Sequence, residues 1–134
     1  MNKTQLLATL YMMRTNAPYQ KAEALRRTSV VAQMANSEKN SEGYAAIFML
    51  INTWESISAL VLELDEKDRD FLFGTLPVLF MFTELNDAIE IISCDLPGYA
   101  ANFRLLSKRQ AEWLKFKDDS YQTGEKTGMH ALFG

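Results

Sequence analysis

One stretch of the sequence constrains the fold of this chain more than any other. Tyr44 to Leu64, YAAIFMLINTWESISALVLEL, is the longest apolar run, yet it carries Glu55 near its centre and Asn52 beside it. A helix that is apolar nearly all round is a buried helix, and a carboxylate within it needs a partner or a path to water. The run has membrane length, roughly 20 residues, but a carboxylate near a bilayer centre costs about 2.5 kcal/mol or more. We therefore predict the core helix of a soluble protein that does not associate with membranes.

The composition is typical of one globular domain. The chain has 134 residues, of which 48% are hydrophobic and 23% charged, and this is enough to bury a core without disulfides or metals. The net charge of -3 gives no basic field for phosphates, so we expect no nucleic-acid binding. A single cysteine, Cys94, cannot form an internal disulfide, and the N-terminus does not resemble a signal peptide. We expect a cytoplasmic location.

Apolar residues at helical spacing, separated by caps and turn formers, divide the chain into helices. Asn16 and Pro18 predict the end of one helix and the start of the next, because Asn is a good N-cap and Pro is tolerated in the first turn of a helix. The predicted helices cover residues 3–15, 18–35, 44–64, 66–74, 76–93 and 99–117. The fold class is all-α: a single helical bundle of about five to six helices with short connections in residues 1–117. A flexible tail, 118–134, is expected to follow.

Three stretches carry a resemblance: TLYMMRTNAPYQKAEALRR, LINTWESISALVLELDEKDRDFLFGTLPVLFMF and YAANFRLLSKRQAEW. Together they resemble an uncharacterised family of small all-helical domains of unknown function found in bacteria and phages, over about Leu6 to Leu114. Members of that family break the first helix before an Asn-x-Pro/Glu step and carry Asn-x-x-Glu at the centre of a long helix. The resemblance implies an all-helical fold and names no catalytic residue. Many members follow a membrane-spanning helix, which is not seen here, so a free-standing soluble version is expected.

Asn52 and Glu55 stand three residues apart and lie on one helix face. They predict a buried polar network in which Glu55 pairs with an arginine, namely Arg26, Arg27 or Arg104, since breaking a buried ion pair costs about 3–5 kcal/mol. The alternative hypothesis is a polar binding site in which Glu55 acts as a base or a ligand.

Glu84, Asp87 and Glu90 recur every third residue and form a candidate acidic face. With Glu55 they could suggest a carboxylate metal site, but bundle di-iron sites use Glu-x-x-His, and the one histidine, His130, lies in the predicted tail. We expect no metal and interpret these residues as a docking surface for a basic partner.

Catalysis is not indicated by any motif. Cys94 has no histidine near it in sequence, and we expect a small, at least half-buried residue there. The glycines are too scattered for a phosphate loop. We therefore predict no catalytic residues, no cofactor and no enzyme activity.

Two hypotheses about function remain. The first is a protein that acts by binding a larger protein partner; phage members of the resembling family suggest a phage-encoded inhibitor of a bacterial defence system. The second is a sensory bundle that binds a small ligand near Asn52 and Glu55. The apolar surplus of the helices also predicts a subunit or partner interface, so a homo-oligomer is a further expectation.

Overall fold

The computed structural model describes residues 2–125, with side chains as far as Asp118, and it confirms the all-α fold class. No strand occurs among these residues. The described part contains seven helices: α1 (Lys3–Thr15), α2 (Ala17–Arg27), α3 (Val31–Asn36), α4 (Glu42–Leu62), α5 (Glu66–Phe73), α6 (Val78–Ser93) and α7 (Ala101–Glu125). The count exceeds the predicted five to six because one predicted helix is two.

The break between α1 and α2 is held by Asn16, as predicted. Its side-chain oxygen accepts a hydrogen bond from the backbone N–H of Tyr19 at 2.9 Å. Its amide nitrogen donates to the backbone oxygens of Met12 and Met13, both at 3.1 Å. One side chain thus satisfies unpaired groups at the end of α1 and at the start of α2.

The predicted single helix over 18–35 is wrong, because the chain breaks after Arg27. The Thr28 hydroxyl donates to the carbonyl oxygen of Leu25 at 3.1 Å, and Val30 adopts an extended conformation (φ -93, ψ 118). A hydroxyl that bonds the backbone competes with helix continuation. The break lets α3 turn away from α2 and pack against α4 and α6.

The core is organised around α4, which contacts α1, α2, α3, α6 and α7. Its inner side chains are fully or almost fully buried: Ile47, Leu50, Ile51, Trp54, Ile57 and Val61. By length and composition alone α4 could cross a membrane, and so could α5 and α6 taken as one bent pair. The core helix of a soluble protein passes the same test, so the finding is compatible with the soluble bundle that was predicted.

Gln110 of α7 ties down the connection between α5 and α6. Its buried side chain donates to the backbone oxygens of Phe73 at 3.1 Å and Leu76 at 2.7 Å, and it accepts from the backbone N–H of Leu79 at 2.6 Å. The Phe73 oxygen and the Leu79 N–H, which the two helices leave unpaired, are therefore satisfied from a third helix, while the Leu76 oxygen also accepts from the backbone N–H of Val78 at 2.9 Å.

The turn before α7 uses two residues with left-handed backbone. Gly98 has φ +82, which glycine adopts at little cost, and Ala100 has φ +60. From this turn α7 continues past the predicted end at residue 117 as far as Glu125. The beginning of the predicted tail is thus helical, and its remainder, 126–134, lies outside the described residues.

Candidate functional site

Glu55 lies at the N-terminus of α7, where it takes the place of a helix cap. Its carboxylate accepts hydrogen bonds from the backbone N–H groups of Asn102 at 3.2 Å and Phe103 at 2.9 Å. These are the second and third residues of α7, whose N–H groups an N-cap side chain normally satisfies. Ala100, directly before the helix, has no side-chain acceptor. Glu55 therefore caps α7 from α4, and the partial positive charge of the helix N-terminus stabilises the carboxylate.

The arginines predicted to pair with Glu55 pair with other carboxylates, so the predicted network is wrong. Arg104 donates to the Glu90 carboxylate at 3.1 Å. Arg26 makes two hydrogen bonds to Glu23, at 3.0 and 2.9 Å. The prediction assumed that a cationic side chain would satisfy Glu55, whereas helix N–H groups do so. Glu55, Arg26 and Arg104 thus belong to three separate sets of contacts.

Asn52 accepts a hydrogen bond from the Tyr99 hydroxyl at 3.2 Å. The Tyr99 ring stacks on Phe48 with centroids 5.7 Å apart, and Phe48 stacks on Tyr44 at 5.8 Å. Burial, and after it the charges of Tyr44 and Glu55, raise the pKa of Tyr99. Asn52 and Glu55 are both half-buried and both bonded within the chain. Their contacts join α4 to the start of α7.

The acidic face lies on the surface of α6, with Glu84, Asp87 and Glu90 all exposed. Two of the three carboxylates face arginines of neighbouring helices: Glu84 lies 3.7 Å from Arg26, and Glu90 lies 3.1 Å from Arg104. These arginines offset part of the negative charge that would attract a basic partner. Docking at this face stays a prediction.

Glu23 is a buried carboxylate that was not among the predicted site residues. The residue is only 5% exposed, and besides Arg26 it faces the Nε of Arg27 at 3.4 Å. The hydrogen bonds that Arg26 donates to Glu23 raise the pKa of Arg26 against the opposing effect of burial. Glu23 stands three residues before Arg26 and four before Arg27, and residues at these spacings are neighbours on a helix. This spacing is the sequence pattern that indicates the contacts.

A cleft of about 400 Å³ opens between α1, α2 and the start of α6. We call it the arginine cleft, because Arg14, Arg26 and Arg27 line it together with the single carboxylate of Glu23. Further lining residues are aromatic or apolar: Tyr11, Tyr19, Trp54, Phe80 and Met81. Trp54 is buried at the floor, whereas Tyr11 is 64% and Phe80 58% exposed at the rim. A protein of net charge -3 thus has a locally cationic, aromatic cleft.

Arg14 differs from the other two arginines of the cleft. Its guanidinium lies over the Trp54 ring, 5.7 Å from the centroid. Its Nε is buried and has no hydrogen-bond partner among the described residues. The indole N–H of Trp54 is itself occupied, since it donates to the Tyr19 hydroxyl at 3.0 Å. A buried donor left unpaired costs about 1–3 kcal/mol, and no described group offsets that cost for the Arg14 Nε.

The side chains of the arginine cleft include groups that can bind a ligand. Within the described range, no group of three or more His, Cys, Asp or Glu residues is arranged to hold a metal ion. His130 lies outside that range. Cys94, predicted to be at least half-buried, is exposed. The cleft provides hydrogen-bond donors, aromatic faces and apolar walls, which are the groups that hold a ligand in place.

No family model matches the chain, and searches of the curated proteins and of the solved structures found no match. The family resemblance stays a prediction. The function is therefore inferred from the residues of the arginine cleft and their surroundings.

Proposed function

We propose that this protein acts without catalysis, by binding a larger protein partner through the surface around the arginine cleft. The observation that carries the proposal is the exposure of Tyr11 and Phe80 beside Arg14 and Arg27. Protein interfaces are enriched in aromatic residues, Met and Arg, and their strongest contacts are most often Trp, Tyr and Arg. Inhibition of a bacterial defence protein, which the resemblance implies, is one form that such binding would take.

The two rim aromatics offer substantial binding energy. Covering the exposed part of each ring would remove roughly 100 Å² of apolar surface from water, about 2.5 kcal/mol per ring before the costs of association. The rings stand on different helices, Tyr11 on α1 and Phe80 on α6, and the cleft lies between them. A partner side chain placed between the rings would be surrounded by apolar surface, which is the arrangement of an interface anchor.

The proposed surface differs from the acidic face predicted on sequence grounds. Glu84 and Glu90 are paired within the chain, whereas Tyr11 and Phe80 leave most of their apolar surface in water. The energetic gain from covering the rim therefore exceeds that from a new ion pair at an exposed carboxylate, which is about 0–1 kcal/mol.

The test is a matched pair of substitutions, Phe80→Asp and Phe71→Asp. The two phenylalanines are 58% and 57% exposed, so the changes in surface chemistry are closely similar. Phe71 lies below Lys3, 5.3 Å from its ammonium group, and Lys3 is about 12 Å from Tyr11 along α1. The wild-type protein is used to capture a partner from host lysate, and the partner is then purified and titrated against each variant. Phe80→Asp should weaken binding at least tenfold, while Phe71→Asp leaves it within a factor of about two.

Two results would contradict the proposal. One is equal binding of the partner by wild type and Phe80→Asp. If Asp87→Lys then abolishes binding, the partner docks on the acidic face. The other is a wild-type dimer in light scattering that Phe80→Asp dissociates, since the surface would then join two copies of this chain. Circular dichroism of both Asp variants controls for loss of fold.

A further inference from the structure

We propose that the arginine cleft receives a carboxylate attached to an aromatic or apolar side-chain segment of the partner, and that Arg14 is its anchor. This inference rests on the proposed function and names the chemistry that the cleft recognises. An acidic residue next to an aromatic one, or a C-terminal carboxylate on an apolar residue, provides both groups.

The charges around the cleft single out Arg14. Arg26 donates two hydrogen bonds to Glu23 and lies 3.7 Å from Glu84, and Arg27 lies 3.4 Å from the same Glu23 carboxylate. The ion pairs found among the described residues do not include Arg14. Its guanidinium is instead held against the Trp54 ring, with a buried and unpaired Nε. An arginine fixed in this way is a preorganised donor for an anion, because little side-chain freedom remains to be lost on binding.

The surroundings of Arg14 favour a monoanion with an apolar body. A carboxylate matches the planar fork of one guanidinium. A phosphate dianion would need further donors, but Arg26 and Arg27 are paired with Glu23, and Thr15 and Gln20 donate to backbone oxygens. Apolar contact is available from Trp54 at the floor, Met81 on one wall and Phe80 at the mouth. The volume of about 400 Å³ accommodates one large side chain together with its carboxylate.

The probe is N-acetyl-phenylalanine, which carries a ring and a carboxylate, and its control is N-acetyl-phenylalaninamide, which has the same ring without the charge. Each compound is titrated into the ¹⁵N-labelled full chain, and the arginine Nε–H resonances are followed by NMR. The acid should bind in the millimolar range, shift the Arg14 Nε–H signal and bind about tenfold more tightly than the amide. The Arg104 Nε–H signal is the internal control, because Arg104 is paired with Glu90 and stacked over Phe82 outside the cleft.

Arg14→Met assigns the resonance and tests the anchor. Methionine keeps an apolar stem over Trp54 but removes the donors and the charge. It should reduce the affinity for the acid to that for the amide, whereas Arg104→Met should leave the affinity for the acid unchanged. The comparison of acid and amide on the wild-type protein needs no variant, so it holds even if Arg14→Met lowers stability.

Three results would overturn the inference: equal affinity for acid and amide, an unmoved Arg14 signal during saturation with the acid, or tighter binding of inorganic phosphate than of N-acetyl-phenylalanine. None of them bears on whether Phe80→Asp releases a protein partner. A failure of the carboxylate site can thus be told apart from a failure of the proposed function.

Discussion

Replacing Glu55 tests the most unexpected contact in the fold, a carboxylate of α4 that caps α7. In Glu55→Ala the backbone N–H groups of Asn102 and Phe103 lose their acceptor. In Glu55→Gln one oxygen remains to accept a hydrogen bond, whereas the other oxygen is replaced by an NH2 group that cannot accept one, and the negative charge is removed. Comparing the two variants therefore isolates the one hydrogen bond that glutamine can keep from the charge and the second hydrogen bond, which both variants lose.

The magnitudes follow from the geometry. Loss of an N-cap acceptor typically costs about 1 kcal/mol, and loss of a negative charge at a partly buried helix N-terminus costs about 0.5–1 kcal/mol more. Glu55→Ala should therefore lower the free energy of unfolding by about 2 kcal/mol, and Glu55→Gln, which keeps one of the two acceptors, by about 1–1.5 kcal/mol. For a domain of this length 2 kcal/mol corresponds to a fall in Tm of roughly 6–10 °C.

Urea unfolding, followed by circular dichroism at 222 nm, measures the free energy of unfolding of both variants. An unchanged m-value shows that the two-state comparison is valid. Ser56→Ala, at an exposed neighbouring position on α4, is the control and should stay within about 0.5 kcal/mol of wild type. A loss of about 3–5 kcal/mol in Glu55→Gln would refute the cap, since that is the cost of breaking a buried ion pair. No loss in Glu55→Ala would refute it equally.

Two further predictions concern buried polar groups. Gln110→Leu leaves the Phe73 oxygen and the Leu79 N–H without a partner and should lower the free energy of unfolding by about 2 kcal/mol or more, measured by urea unfolding. Gln110→Glu is the second variant, and an effect of Gln110→Leu below about 1 kcal/mol would contradict the contacts described. The raised pKa values of Tyr99 and Tyr19 mean that the folded state favours the protonated phenols. Their contribution to stability is fully present below about pH 10, where tyrosines ionise in the unfolded chain, and is lost as the pH rises through the folded-state values. The free energy of unfolding should fall above pH 10 and fall less steeply in Tyr99→Phe, whereas identical slopes would show that burial of Tyr99 plays no part.

Local patterns predicted the parts of the fold that depend on neighbours in sequence. The apolar stretch became the central helix α4, and Asn16 caps α2 as its residue type indicated. The break after Arg27 was missed because the apolar spacing continues through it, while a hydroxyl–backbone bond at Thr28 ends the helix. A periodic pattern reports which face is apolar and does not report a change in helix direction.

The partners of charged residues could not be predicted in the same way. Glu55 was expected to face an arginine because side-chain charges are visible in a sequence, whereas the N–H groups of a helix start 47 residues later are not. The arginine cleft brings together Arg14, Trp54 and Phe80 from three helices. Only the packing of those helices shows that Arg14 is left with an unpaired donor.

The cap supplied by Glu55 also bears on the order in which the chain assembles. A helix start is the costly step of helix formation, because several residues are fixed before the first bonds form. The residues that begin α7 lack an acceptor of their own, and theirs arrives only when the chain between α4 and α7 closes into a loop, at an entropic cost. The first turn of α7 is therefore expected to form together with its docking on α4, so that this helix boundary is set by tertiary contact and not by local sequence.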